Sequence, residues 1–157
     1  MKRLAVVIAA ACAAIVSAAA VVGTSGAQQS GPPTGTLEFV AVDRESRFKF
    51  IDVPPRRQES AGDQFTLTQR LRDNSNRPVG RAHAAFVSTP GKPSAAQGSG
   101  TFVFGNGQVV VTGVVDERGR TDTLAVVGGS GAYTGARGTL LITEARRRTT
   151  FLFTFSG

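Results

Sequence analysis

The chain has 157 residues, a formal net charge of +7, one cysteine and one histidine. Lone Cys12 and His83 exclude an internal disulfide and a Cys- or His-built metal centre, so neither metal nor cofactor is expected. The basic balance raises nucleic acid or an anionic surface as partners, and about 120 residues beyond a leader suffice for one domain with one core.

Residues 1–27 read as a signal peptide. Lys2 and Arg3 precede a long apolar, helical run over 4–22, and Ser25-Gly26-Ala27 supplies small residues for cleavage before Gln28. Left uncleaved, that run would be the chain's one membrane contact. The domain that follows is expected outside the cytoplasm, secreted or associated with the cell envelope. Residues 28–35 (QQSGPPTG) form a flexible linker with too little apolar content to pack.

From 36 to 157 the apolar residues alternate at period two, interrupted by turn residues. The alternation predicts strands over 36–42, 47–53, 64–71, 79–88, 99–104, 108–115, 122–127, 138–144 and 149–155. Pro54-Pro55, Asp73-Asn74-Ser75-Asn76 and Pro90-Gly91 stop three of them, and Gly105-Asn106-Gly107 is a hairpin signal. No helical stripe appears beyond the leader. The class is all-β, and the pattern alone leaves sandwich and closed barrel open.

Strand parity sorts the side chains by face. Phe65, Leu67, Gln69 and Leu71 share one face, and Ala82, Ala84 and Phe86 share another, which turns His83 outward. If Glu38 faces inward, so do Thr36, Val40 and Val42. Phe102 and Phe104 go together, with Val103 and Val109 on the outside. A lone outward His without a Ser or Cys partner is read as a surface residue.

Two arginine clusters, Arg56-Arg57 and Arg146-Arg147-Arg148, look like solvated turns. Stacking aromatics are not interleaved with them; Phe151, Phe153 and Phe155 instead alternate along one strand face, so no nucleic acid is expected as a partner. Adhesion of these loops to acidic envelope polymers is the residual reading of the charge.

The stretch over 124–138, LAVVGGSGAYTGARG, enters and leaves a glycine-rich corner. Thr134 stands where a dinucleotide-binding fingerprint needs its third glycine, no Gly-Lys-Ser/Thr follows, and Ala132 breaks a nucleophile elbow. A glycine corner in a β-protein remains.

That corner resembles the one shared by plant allene oxide cyclases and dirigent proteins. Asp43-Arg44-Glu45-Ser46 is similar to the cyclases' Asp-Arg-Gly-Ser after their first strand. Gly62-Asp63, Thr68-Gln69-Arg70-Leu71, Val79-Gly80, the 102–107 turn and Phe153-Thr154-Phe155 follow in collinear order. The resemblance is closer to the cyclases and covers nearly all of 36–157. It implies an eight-stranded antiparallel β-barrel after the N-terminal signal helix, and a homotrimer.

The cyclases close a fatty-acid epoxide inside an apolar barrel, using a polar set that the resemblance maps here residue by residue. Their Glu falls on Glu38, their first Asn on Val40, their Pro on Arg47, their second Asn on Gln69 and their Cys on Phe86. Val40 cannot donate a hydrogen bond to an epoxide oxygen, and Phe86 adds bulk. The dirigent likeness would put Asp43 at the pocket mouth. The implied function is binding of a small apolar molecule without the plant chemistry, in a pocket lined by Val40, Arg47, Phe65, Leu67, Gln69, Phe86, Phe102 and Phe104. The alternative is an isomerase or cyclase acting on a lipid-like or polyketide-like substrate, with Glu38 as its acid–base residue.

Overall fold

The structure, a computed structural model, describes residues 32–54, 60–89, 95–116 and 119–157. The expected leader over 1–27 and the pair Arg56-Arg57 lie outside the described residues. All nine alternating segments form strands: β1 (Gly35–Val42), β2 (Arg47–Ile51), β3 (Gln64–Arg72), β4 (Pro78–Thr89), β5 (Ala95–Phe104), β6 (Gly107–Asp116), β7 (Thr121–Gly131), β8 (Gly138–Ala145) and β9 (Arg148–Phe155). Their order around the sheet is β1-β9-β8-β7-β6-β5-β4-β3-β2, with β1 also reaching β3, and every pairing is antiparallel.

A 3-10 turn at Asp43–Glu45 joins β1 to β2, and both strands pair with β3. They are two halves of one bent stave, so nine segments make an eight-staved barrel. The ring closes where Val40 meets Arg72. Closure leaves no long unpaired edge, which settles the choice between sandwich and barrel.

Two polar ties hold the bent stave. Arg72 donates from Nη2 to both carboxylate oxygens of Glu45 (2.7 and 3.0 Å) and from Nε at 3.2 Å. Gln69 Nε2 donates to Ser46 Oγ at 3.2 Å. A third tie fixes the far end of the stave. Buried Asp63 accepts from the Val53 amide at 2.8 Å, the Ser60 amide at 2.9 Å and the Ser60 hydroxyl at 3.0 Å. The Ser60 and Val53 amides hold the Asp63 carboxyl below its ordinary range.

The glycine corner differs from expectation in one respect: its glycines are mostly strand. Gly128 and Gly129 pair with Val110 and Val109, next to a register shift between Val110 and Val111. The chain reverses later, over 132–135. Gly131 has φ +62, and a Cβ there would collide with the carbonyl oxygen of Asn106, the same oxygen that accepts from the Ala132 amide at 2.9 Å. Only glycine fits.

The interior faces of β3 and β4 are as the alternation predicts, and that of β1 is the reverse. Leu37, Phe39 and Ala41 face inward, with the Phe39 ring centroid 4.8 Å from that of Phe104 and 6.2 Å from that of Phe153. Glu38 is exposed on the outer wall. Thr36 is exposed as well; Val40 is buried at 4% exposure but on the face of β1 away from Phe39, and with half-buried Val42 it borders a second pocket alongside Arg72, Asp73 and Arg147. A strand has only two faces, so a choice that buries Phe39 turns every even-numbered neighbour out. Val109 is corrected likewise: it is fully buried in the core, whereas Val103 is exposed.

Core packing is concentrated at one end of the cylinder. Phe39, Phe104, Tyr133, Phe153 and Phe155 form a plug, with Phe104–Tyr133 centroids 5.3 Å apart and Phe153–Phe155 5.8 Å apart. Burial of each such ring contributes about 1.5–3 kcal/mol. Phe102 roofs the plug edge-on, 4.9 Å and 88° from Phe153.

Two outcomes are expected. Gly98 has no room for a methyl group, because a Cβ would strike the Ala85 carbonyl and sit 2.7 Å from Phe86 Cα, whereas Gly105 has nothing within 4 Å. In urea denaturation Gly98→Ala should cost about 1–3 kcal/mol and Gly105→Ala within about 0.5 kcal/mol. Because the folded pKa of Asp63 is depressed, its stabilisation is present above the usual carboxylate range and lost as pH falls below about 4. Asp63→Asn should therefore lower the melting temperature near neutrality and flatten its decline in acid.

Candidate functional site

The other half of the barrel is hollow. Where the plug end carries aromatics, staves β4 and β5 present Ala82, Ala84 and Gly100 to the interior, and a cavity of about 480 Å³ remains. That volume is within the range of small-molecule pockets. Phe102 and Phe151, 5.2 Å apart at 73°, form its floor. Leu67, Val111, Leu124, Leu140 and Ile142 complete the apolar wall. The mouth opens at the end where β2 has bent away.

One side of the cavity is an aromatic ladder. Phe86 stacks on Phe65 (5.2 Å, 19°), and Phe65 stacks on Phe48 (5.7 Å, 30°). The ladder follows from the register, which sets Phe65 opposite Phe86 and Phe48 opposite Leu67. Phe48 is 64% exposed and Phe50 50% exposed at the mouth. Large apolar side chains left this open at a cavity entrance are unusual outside binding surfaces.

The opposite side carries carboxylates. Asp116 ends β6, Asp122 is the second residue of β7 and Glu144 lies near the end of β8; in an antiparallel barrel these positions share one rim. Asp122 is opposite Ile142, so Glu144 is its diagonal neighbour on the same face. Asp122 accepts from the Asp116 amide at 2.8 Å. Partial burial raises the Glu144 carboxyl above its usual range, and the charges of Asp122 and Asp43 push it further. Thr149, opposite Glu144 on β9, is 7% exposed and lines the cavity. Among the described residues no group of three His, Cys, Asp or Glu side chains could hold a metal ion.

The structure divides the residues expected from sequence. Phe65, Leu67, Gln69, Phe86 and Phe102 line the cavity. Phe104 faces inward but belongs to the plug. Val40 and Arg47 do not reach the cavity: Val40 is on the outer wall, and Arg47 is exposed on the face of β2 opposite Phe48. Glu38 is outside too, so no acid enters the barrel from the first stave, and Gln69 is tied to Ser46 rather than to Glu38. His83 is exposed, its Nδ1 3.4 Å from Thr68 Oγ1. Asp43 does not line the cavity but is close enough for its charge to act on Glu144. The rim carboxylates and Thr149 were not singled out by the sequence reading, although Leu140-x-Ile142-x-Glu144 continues an inward stripe into an acid.

A family model described as the allene oxide cyclase barrel-like domain matches residues 40–155. Among curated proteins no sequence matches the chain. Several solved structures share the fold. A pyocyanin demethylase superposes with TM-score 0.68 at 18% identity, over 77% of this chain and 99% of that one. A pterocarpan synthase dirigent protein gives 0.62 at 14%, covering 87% and 98%. A Diels–Alderase from Streptomyces koyangensis gives 0.62 at 14%, over 77% of this chain and 64% of its own. Identities this low establish shared architecture only.

Because the folded pKa of Glu144 is raised, the barrel loses stability as pH rises through the carboxylate range and keeps that penalty at neutrality. Solvent at the mouth keeps the effect small. Glu144→Gln should raise the melting temperature by a degree or two at neutral pH and leave it unchanged in acid, where Glu144 is protonated in both states. Scanning calorimetry across pH measures this.

Proposed function

The chain belongs to the allene oxide cyclase barrel-like family, and from that premise we propose that its barrel is a binding chamber for a small, largely apolar, ring-bearing molecule, working without the plant cyclase chemistry in an exported protein. The observation that carries the reading is the hollow mouth half, about 480 Å³ between an aromatic ladder and a rim of polar groups. A solid core would have left no chamber. Apolar lining favours an apolar body, and stacked rings favour a planar one.

Absence of the plant ring closure is supported by the inner face of the first stave, which offers Leu37, Phe39 and Ala41 and no hydrogen-bond donor for an oxyanion. Similar folds are named for demethylating pyocyanin, making a pterocarpan and catalysing a Diels–Alder reaction; a chamber for a small organic molecule is the reading common to them. Export is supported by the charged, apolar and small-residue pattern of the leader.

The test is titration with the neutral fluorophore N-phenyl-1-naphthylamine. The wild type should enhance and blue-shift its emission with saturable, micromolar affinity. Ala84→Phe places a ring in the cavity from the centre of β4 and should weaken binding by about tenfold or more while circular dichroism stays β-rich. Equal affinity in both proteins would show that the dye sits elsewhere and remove the chamber reading.

A further inference from the structure

Exposed apolar side chains are gathered rather than scattered on this barrel. Among the described residues seven large ones are exposed, and five of them, Phe48, Phe50, Ile51, Val87 and Val114, belong to the open half. The register explains the grouping. Ile51, Gln64, Val87, Gln97 and Val114 form one cross-strand row on the outer wall near the mouth. Phe48 and Phe50 stand on the inner face of β2 and line the entrance. An apolar collar of this kind marks a contact surface.

The wall behind the collar is basic. Strands β2 to β5 hold Arg47, Lys49, Arg70, Arg72 and Arg81 and no Asp or Glu, whereas β6 to β8 hold Asp116, Asp122 and Glu144 and no Lys or Arg. Arg72 is taken up by Glu45, but Arg47, Lys49, Arg70 and Arg81 are exposed on the outer face. Arg70 and Arg81 are directly opposite each other on β3 and β4, and like charges so placed cost stability.

An occupant of this surface must receive large apolar side chains and supply negative charge beside them. A phosphate polymer does only the second. A second copy could cover the collar but brings no acidic strand wall to meet the cations, because the acids of β6 to β8 line the cavity rim. An anionic bilayer does both: acyl chains receive the aromatic and aliphatic side chains, and headgroups receive the Lys and Arg behind them. We propose that the barrel docks, tilted, on an anionic lipid surface, with the wall of β2, β3 and β4 on the headgroups and the lip at Phe48, Phe50 and Ile51 dipping into the acyl boundary. The acidic rim of β6 to β8 is then held away from the lipid. An apolar molecule can pass between bilayer and chamber without crossing water; that consequence rests on the chamber reading, and the docking does not.

The chain has no tryptophan, so Phe48→Trp places a single fluorescent reporter at the lip and Val127→Trp one on the wall of β7. β1 begins at the plug end, where Gly35 pairs with Phe155, so attachment through the leader alone gives position 48 no reason to enter lipid. Each full-length variant is titrated with vesicles of brominated phosphatidylcholine, with and without phosphatidylglycerol. Emission from Phe48→Trp should shift to the blue and be quenched only when phosphatidylglycerol is present, while Val127→Trp stays unquenched. Adding Arg47→Gln and Lys49→Gln should weaken the response by about tenfold or more, and high salt should weaken it too. If Phe48→Trp does not fold, Phe50→Trp serves as the reporter. Quenching that is equal without phosphatidylglycerol, or equal at both positions, overturns the proposal, as does vesicle binding with neither position quenched. A blue shift on concentrating the protein without lipid assigns the collar to a second copy, and tight binding of soluble polyphosphate without lipid quenching assigns the wall to a polymer; either result overturns it as well. The dye titration is a separate readout: a barrel that takes up the dye and ignores lipid loses the docking and keeps the chamber.

Discussion

An eight-stave cylinder has a fixed interior, and the side chains pointing into it decide whether that interior is solid or hollow. Here the decision differs between the two ends. Phe39, Phe104, Tyr133, Phe153 and Phe155 fill one end, and Ala82, Ala84 and Gly100 underfill the other. The cavity exists because two neighbouring staves carry residues too small to meet their partners across the barrel.

The bent first stave makes that space accessible. β1 stays in register with β9 along its whole length, then the 3-10 turn releases the chain, and β2 continues against β3 alone. The Glu45–Arg72 pair fixes the bend from one side and the Ser46–Gln69 bond from within the barrel. An ion pair of this kind, partly shielded and bidentate, is worth more than a surface pair, and its geometry specifies an angle as well as an energy.

Much of the fold was legible in the residues, because period-two alternation and turn chemistry are local signals. All nine strands and the Gly105-Asn106 hairpin are present, and the inward faces of β3 and β4 follow directly from Phe65, Leu67, Ala82 and Phe86. What local pattern cannot give is absolute parity. Along GTLEFVAV either face carries apolar residues, and choosing Glu38 as inward reversed the strand. The competition between Phe39 and Val40 for the interior is decided by the plug, whose other members are more than sixty positions away in sequence. The rim was missed for a related reason: Asp116, Asp122 and Glu144 are unremarkable at strand ends one at a time, and only the antiparallel order brings them to one edge.

Plug and mouth share staves but hardly share side chains. The glycine corner and its Tyr133 belong to the filled end, and the carboxylates, Thr149 and the phenylalanine ladder belong to the open one. Foundation and doorway are therefore separable in this architecture. Substitutions at the doorway can therefore reshape the cavity and its entrance while the foundation keeps the cylinder standing.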